Sequence, residues 1–224
     1  MPSPTPRPDD PAVVLRPSPH PPVGVAPTVL KILIAGGFGA GKTTAVGAVS
    51  EITPLSTEEY LTEASAGVDS LAGLEAKRTT TVAFDFGRLS LPDAPVPLEL
   101  FLFGTPGQDR FVDLWYELAR GAVGAVVLVD TRRLESSFTP VSFFEDIDLP
   151  FVVALNQFDG AHRYHPEQVR TALELPTSVP VVTCDARDPN HVAGVLLTLV
   201  GHAETHTSTG RSSCSAPTST LQEA

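Results

Sequence analysis

The eight residues Gly36-Gly37-Phe38-Gly39-Ala40-Gly41-Lys42-Thr43 constrain this chain more than any other stretch. They fit the pattern G-x-x-x-x-G-K-[ST], directly after the apolar run Val29–Ala35 and opening a segment, Lys42–Ile52, that reads as a helix. Strand, glycine turn and helix in that order make a cradle for phosphate. The glycines let successive N–H groups turn toward phosphate oxygens, and the helix N-terminus adds its positive dipole. Lys42 then offers a point charge to the β- and γ-phosphates, and the Thr43 hydroxyl offers one Mg2+ position. The loop residues Gly37, Phe38, Gly39, Ala40 and Gly41, with Thr44, complete the expected phosphate contacts.

The rest of the chain alternates in the same style. Strands are expected at Thr79–Leu91, Val96–Phe103, Ala122–Asp130, Pro150–Leu155 and Pro180–Cys184, and helices at Asp109–Arg120, Leu134–Ile147, Pro166–Leu175 and Asn190–His202. Near-continuous apolar strands between helices predict a mostly parallel six-stranded sheet with helices on both sides, an α/β three-layer sandwich. The connection around Pro92–Pro95 is too short for a crossover, so one edge strand should be antiparallel.

Composition sets the limits of this domain. Ten of the 22 prolines fall in residues 1–27, which reads as an extended arm, and residues 203–224 are rich in Ser and Thr with little to bury. The folded domain is therefore expected at 28–202, flanked by two disordered tails. The longest apolar run, Gly121–Val129, is nine residues, too short for a membrane span, and the arm has no apolar core of a secretory leader. Two cysteines, Cys184 and Cys214, make no disulfide framework, so a cytoplasmic setting is expected. A net charge of −11 argues against a duplex nucleic-acid binder.

Three further motifs follow the phosphate loop. Asn156-Gln157-Phe158-Asp159 ends the expected strand Pro150–Leu155. An Asp carboxylate there accepts the paired N1–H and N2–H2 donors of guanine, a pair that adenine lacks. Asp185-Ala186-Arg187 ends the following strand, where a backbone N–H, assigned to Ala186, suits guanine O6. Between them, Phe103-Gly104-Thr105-Pro106-Gly107-Gln108 places a Gly107 N–H for a γ-phosphate and Gln108 to orient water. Thr79, Thr80 and Thr81 open the expected strand Thr79–Leu91, and one of them is expected to bind Mg2+ and the γ-phosphate and to release both after hydrolysis. Asp130-Thr131-Arg132-Arg133 reads either as a capping aspartate with solvated arginines or as a surface toward nucleotide or partner. Trp115 and Tyr116 fit core packing better than an effector surface.

In this order the four motifs resemble the Ras-like small GTPases, over nearly all of residues 28–202. Phe103–Phe111, Val126–Arg133 and Cys184–Asp188 are similar to the bacterial MglA-type branch, and most of all to the small GTPases of actinobacterial conservon operons. The resemblance implies a guanine-nucleotide switch that hydrolyses GTP slowly, with Mg2+ as cofactor and Arg78 as an intrinsic arginine finger. It also implies a roadblock-type protein partner and a membrane sensor-kinase-like protein, so any membrane contact would run through a partner. The chain departs from the superfamily at Gly104, where an Mg2+-orienting Asp is usual; Asp130 or Asp85 is then the expected substitute. Phe38 stands where glycine is common, Gln157 where lysine is usual, and Asp185 where serine is usual. Gly104 and Phe38 also motivate an alternative, a GTP/GDP-binding scaffold with little hydrolysis. A phosphate-loop ATPase is the third reading.

Overall fold

Along β1 (Thr28–Ala35), Ile32, Leu33, Ile34 and Ala35 are all buried although successive side chains point to opposite faces. Such a strand belongs inside a sheet covered on both sides. The computed structural model describes residues 26–61, 80–107 and 111–212. Its strands are β1, β2 (Leu55–Leu61), β3 (Thr80–Leu91), β4 (Leu98–Gly104), β5 (Ala122–Val129), β6 (Phe151–Asn156) and β7 (Val181–Cys184). They form one sheet in the order β2-β3-β4-β1-β5-β6-β7, with β1 at its centre. β1 pairs in parallel with β4, Ile32 opposite Leu102, and with β5, Ile34 opposite Val126. β5, β6 and β7 continue in parallel. β3 alone is reversed, antiparallel to both β4 and β2.

The two faces of β1 feed two cores. Ile32 and Ile34 join Val46, Leu128, Leu196 and Leu199 beneath α1 (Lys42–Val49) and α5 (Pro189–Ser212). Leu33 and Ala35 join Trp115, Phe144, Leu155 and Val169 beneath α2 (Val112–Ala119), α3 (Phe138–Asp146) and α4 (Pro166–Ala172). Each such aliphatic or aromatic side chain contributes about 1.5–3 kcal/mol by leaving water, against about 0–1 kcal/mol for an exposed ion pair. The platform under the site is therefore held by the two cores.

The expected mostly parallel, three-layer α/β sheet is present, with the following corrections. The sheet has a seventh strand, β2, where the long and polar sequence of residues 53–76 gives no strand pattern. It therefore lies outside β3, and the reversed strand is one place in from the edge. The helix expected from Leu134 is split: Thr131–Ser137 is a 3-10 helix that runs into α3. α5 runs to Ser212, past the expected domain end at His202. Ala203 is still buried there, Thr205 and Thr207 donate their hydroxyls to His202 and Ala203 carbonyls, and His206 lies 3.6 Å from Asp148. Polar residues thus satisfy their own turn and the helix continues. Residues 1–25 and 213–224 lie outside the described residues. No helix among the described residues is long and apolar enough to cross a membrane.

Candidate functional site

β1 ends in the centre of the sheet, so the loop Gly36–Gly41 emerges above the most buried part of the molecule and turns into α1. Gly41 takes φ +104° at the helix start, a conformation L side chains rarely adopt, and a β-carbon there would stand 2.5 Å from Asn156 Nδ2. No side chain caps α1, so its first N–H groups remain for an anion. Lys42 Nζ donates to the carbonyls of Gly36 and Gly37, both at 2.8 Å. Burial pushes the Lys42 ammonium down to about 8, against the opposing pull of Asp85. From the far side of the cleft Gly107 closes on the loop. A β-carbon at Gly107 would stand 2.5 Å from Lys42 Nζ and 2.9 Å from Phe38 N, so this approach requires glycine. Together Phe38, Lys42, Thr43, Asp85, Thr105 and Gly107 line a cleft of about 410 Å3.

Asp85 reaches this cleft from β3. Its Oδ2 accepts a 2.6 Å hydrogen bond from Thr43 Oγ1. A β-carbon on Gly104 would lie 3.2 Å from both Cβ and Oδ2 of Asp85, so the carboxylate fills the space that a side chain at 104 would enter. Beside it Thr105 is buried, and its hydroxyl has no hydrogen-bond partner among the described residues. A carboxylate and two hydroxyls are hard oxygen donors, the chemistry that suits Mg2+. Among the described residues no three His, Cys, Asp or Glu side chains gather around one point. A cation here would thus take its remaining ligands from phosphate and water, as Mg2+ does in phosphate sites. The residues fit the ion on these grounds.

The rim that carries Asp159 and Asp185 is tied to the glycine loop through Asn156, at the end of β6. Its Nδ2 donates to Ala40 O at 2.9 Å and its Oδ1 accepts from Ala186 N at 3.0 Å. Asn156 is buried, so both bonds are shielded from water. Gln157 turns back, its Nε2 3.4 Å from Leu155 O, and its backbone N–H donates to Cys184 O. Asp159 is exposed at the rim and accepts Arg187 Nη1 at 2.7 Å and Nη2 at 3.1 Å on its two oxygens. Arg187 also donates Nε and Nη2 to Asp185, at 2.9 and 2.8 Å. This guanidinium holds the Asp159 carboxyl below the usual carboxylate range and Asp185 down to about 2.

The structure thus brings together Gly37, Phe38, Gly39, Ala40, Gly41, Lys42, Thr43, Thr44 and Gly107 around one cleft, and Asn156, Gln157, Asp159, Asp185, Ala186 and Arg187 beside it. Thr80 and Thr81 are placed as backbone of β3, opposite Leu61 and Tyr60. Gln108, Arg78 and Thr79 lie outside the described residues. Trp115 is buried and donates its indole N–H to Pro106 O at 3.1 Å, which anchors the loop after β4; Tyr116 is half exposed.

Sequence reasoning left the role of Asp130–Arg133 open. Asp130 caps the 3-10 helix and is 1 % exposed. It accepts both Nε and Nη2 of Arg132, whose guanidinium lies 3.8 Å from the Phe158 ring centre. Arg132 chiefly holds the Asp130 carboxyl below its ordinary range. Arg133 donates Nη2 to Phe38 O at 2.8 Å and clamps the phosphate loop from above. No spacing rule signals that contact, because it joins residues 95 apart.

The fold is similar to the crystal structure of the G domain of the T. maritima FeoB iron transporter. The TM-score is 0.53 at 16 % sequence identity, covering 80 % of this chain and 99 % of that one. No curated protein matches the chain. A family profile matches residues 34–206, from the end of β1 into the last turns of α5, taking in both the phosphate cleft and the base-side rim. The chain therefore belongs to the family described as conserved hypothetical ATP binding protein.

Proposed function

We propose that the protein is a guanine-nucleotide-binding switch that hydrolyses GTP slowly to GDP and phosphate. The observation that carries this reading is the pairing of Arg187 with Asp159. Asp159 accepts two adjacent N–H donors of one planar group at 2.7 and 3.1 Å, on the same rim that Asn156 ties to the phosphate loop. Guanine offers such a donor pair at N1 and N2, and adenine does not. In this reading Lys42, the loop amides and the start of α1 hold the phosphates and Gln108 orients water; the Ala186 N–H expected to meet O6 is donated to Asn156 Oδ1 at 3.0 Å and would have to leave it to reach the base. Mg2+ would supply charge neutralisation at the phosphates when bound; Thr43, Asp85 and Thr105 are the residues to hold it, and one of Thr79–Thr81 would join them only once the start of β3 leaves its pairing with β2. Asp85 takes the part that Gly104 leaves open.

Signalling follows from the same assignment. Segments 79–81 and 107–110 order around a γ-phosphate, a protein partner reads that surface, and hydrolysis releases it. The MglA-type resemblance supports a roadblock-type partner and a sensor-kinase-like protein, with Arg78 as the arginine finger. The protein works in the cytoplasm and meets the membrane only through such a partner. The exposed Phe38 and the glycine at 104 favour a slow intrinsic rate and keep the low-turnover scaffold as a variant of this reading.

The family description favours a second reading, an ATP-binding protein. One experiment separates the two. Nucleotide released from the purified, denatured protein is identified by chromatography, and the emptied protein is titrated with fluorescent GDP and ADP. Guanine nucleotide preferred at least about tenfold, roughly 1.4 kcal/mol, supports the proposal. Equal binding, or adenine released, overturns it. Phosphate release over many turnovers then distinguishes switch from scaffold.

A further inference from the structure

Arg187 spans the two acids of the base-side rim. Its Nη1 and Nη2 lie on Asp159, its Nε and Nη2 on Asp185, and its own backbone N–H donates to Asp185 Oδ1 at 3.0 Å. Both oxygens of Asp159 are therefore engaged by one N–C–N edge of a guanidinium. Guanine carries the same unit: N1–H, C2 and N2–H2 form an N–C–N edge with two donors at the same spacing. One carboxylate cannot accept both edges with this geometry at once.

We infer that Arg187 is an internal competitor of the guanine base at Asp159, which the base displaces on entry. The inference rests on the guanine reading above. Asp185 is what makes the displacement inexpensive. On leaving Asp159, the arginine keeps its Nε, Nη2 and backbone N–H contacts to Asp185, and gives up only the two to Asp159. Serine at 185 would offer no such second carboxylate. The Asp159 pair stands in water, with the two side chains 84 % and 55 % exposed, so its strength is modest. A bidentate, charge-assisted geometry raises it above a single-contact surface pair. The competition is expected to lower GDP affinity by roughly five- to twentyfold. Since the contact exists only before the base arrives, the effect belongs to the association rate.

The test uses the full-length, nucleotide-emptied protein with fluorescent GDP, IDP and ADP, on wild type, Arg187→Ala, Arg187→Lys and Asp159→Asn. Arg187→Ala is expected to bind GDP five- to twentyfold more tightly through faster association, with ADP unchanged. IDP, which lacks the N2 amine, gains less. Arg187→Lys falls between, because an ammonium has no fork. If Arg187→Ala binds GDP no better than wild type, or worse, while Asp159→Asn abolishes the preference for GDP, the arginine is not a competitor and this inference falls alone. If wild type and Asp159→Asn both bind GDP and ADP equally, the guanine reading itself has failed and takes the inference with it.

Discussion

The Thr43 hydroxyl donates a 2.6 Å hydrogen bond to Asp85 Oδ2, joining the first turn of α1 to the reversed strand β3. A residue of the phosphate loop and a carboxylate 42 positions away thus share one polar contact inside the cleft. Asp85→Ala is expected to raise the Mg2+ concentration needed to retain nucleotide by about tenfold or more, read from nucleotide dissociation rates across an Mg2+ titration. Gly104→Asp alone sets a second carboxylate against Asp85 and lowers stability. In the double variant Asp85→Ala/Gly104→Asp the new acid has room, and part of the Mg2+ response returns. An unchanged Mg2+ response in Asp85→Ala would remove Asp85 from the metal site.

Lys42 carries a proton that the folded protein holds weakly, with its ammonium pushed down to about 8 by burial. Phosphate oxygens favour the charged form, so nucleotide binding near pH 8 should take up about half a proton, and almost none at pH 6.5. Binding calorimetry in buffers of different ionisation heat measures this directly. Lys42→Arg stays charged throughout and should show no uptake. The unfolded chain holds the same proton near 10.5, so without ligand this lysine disfavours folding below about pH 8. The penalty is relieved as pH rises from about 8 toward 10.5.

Trp115 secures the loop after β4 from below. Its indole N–H reaches Pro106 O, and its ring meets Phe143 edge-on at 5.3 Å between centres. Trp115→Phe removes that donor and leaves a void, a loss of about 1–3 kcal/mol. At about 2–4 °C per kcal/mol for a domain of this size, the melting temperature should fall by several degrees. A variant with unchanged melting would mean that Pro106 is held by other contacts.

Cys184 ends β7 with its thiol buried, and burial with the neighbouring Asp185 and Asp188 pushes it up to about 12. Alkylation at pH 8 should leave Cys184 unmodified in the native protein and modify it fully in denaturant, as read by peptide mass mapping. Labelling of the native thiol within minutes would show that the end of β7 opens readily.

The parts legible in the sequence are those whose physics is local. Val29–Ala35 is apolar at all positions but Lys31, so a buried strand followed at once from the sequence; its place at the centre of the sheet did not. Lys42 and Thr43 after the glycines announced the phosphate loop because no packing need puts them there. β2 escaped because Leu55-Ser-Thr-Glu-Glu-Tyr-Leu61 is polar in the middle, as a strand at the edge of a sheet can be. The last turns of α5 escaped because Thr205 and Thr207 satisfy their hydroxyls on their own helix, which composition alone reads as disorder. Asp85 was one of two carboxylates in view for the place of Gly104; only the pairing of β3 with β4, Phe86 opposite Phe103, sets it next to Gly104. Arg133 on the Phe38 carbonyl and Arg187 on Asp159 are long-range contacts of exposed side chains, and no periodicity records them.

Asn156 spends both ends of one amide on backbone, Ala40 on one side and Ala186 on the other. The glycine loop and the edge that carries Ala186 are therefore not two independent sites that happen to be adjacent. A strain introduced at either arrives at the other through a single planar group about as stiff as a peptide bond. Substitutions at Lys42 and at Ala186 should accordingly fail to add when combined. The protein would sense a ligand as one rigid object, and a fragment carrying only base or only phosphate would report on less than half of the affinity of the whole.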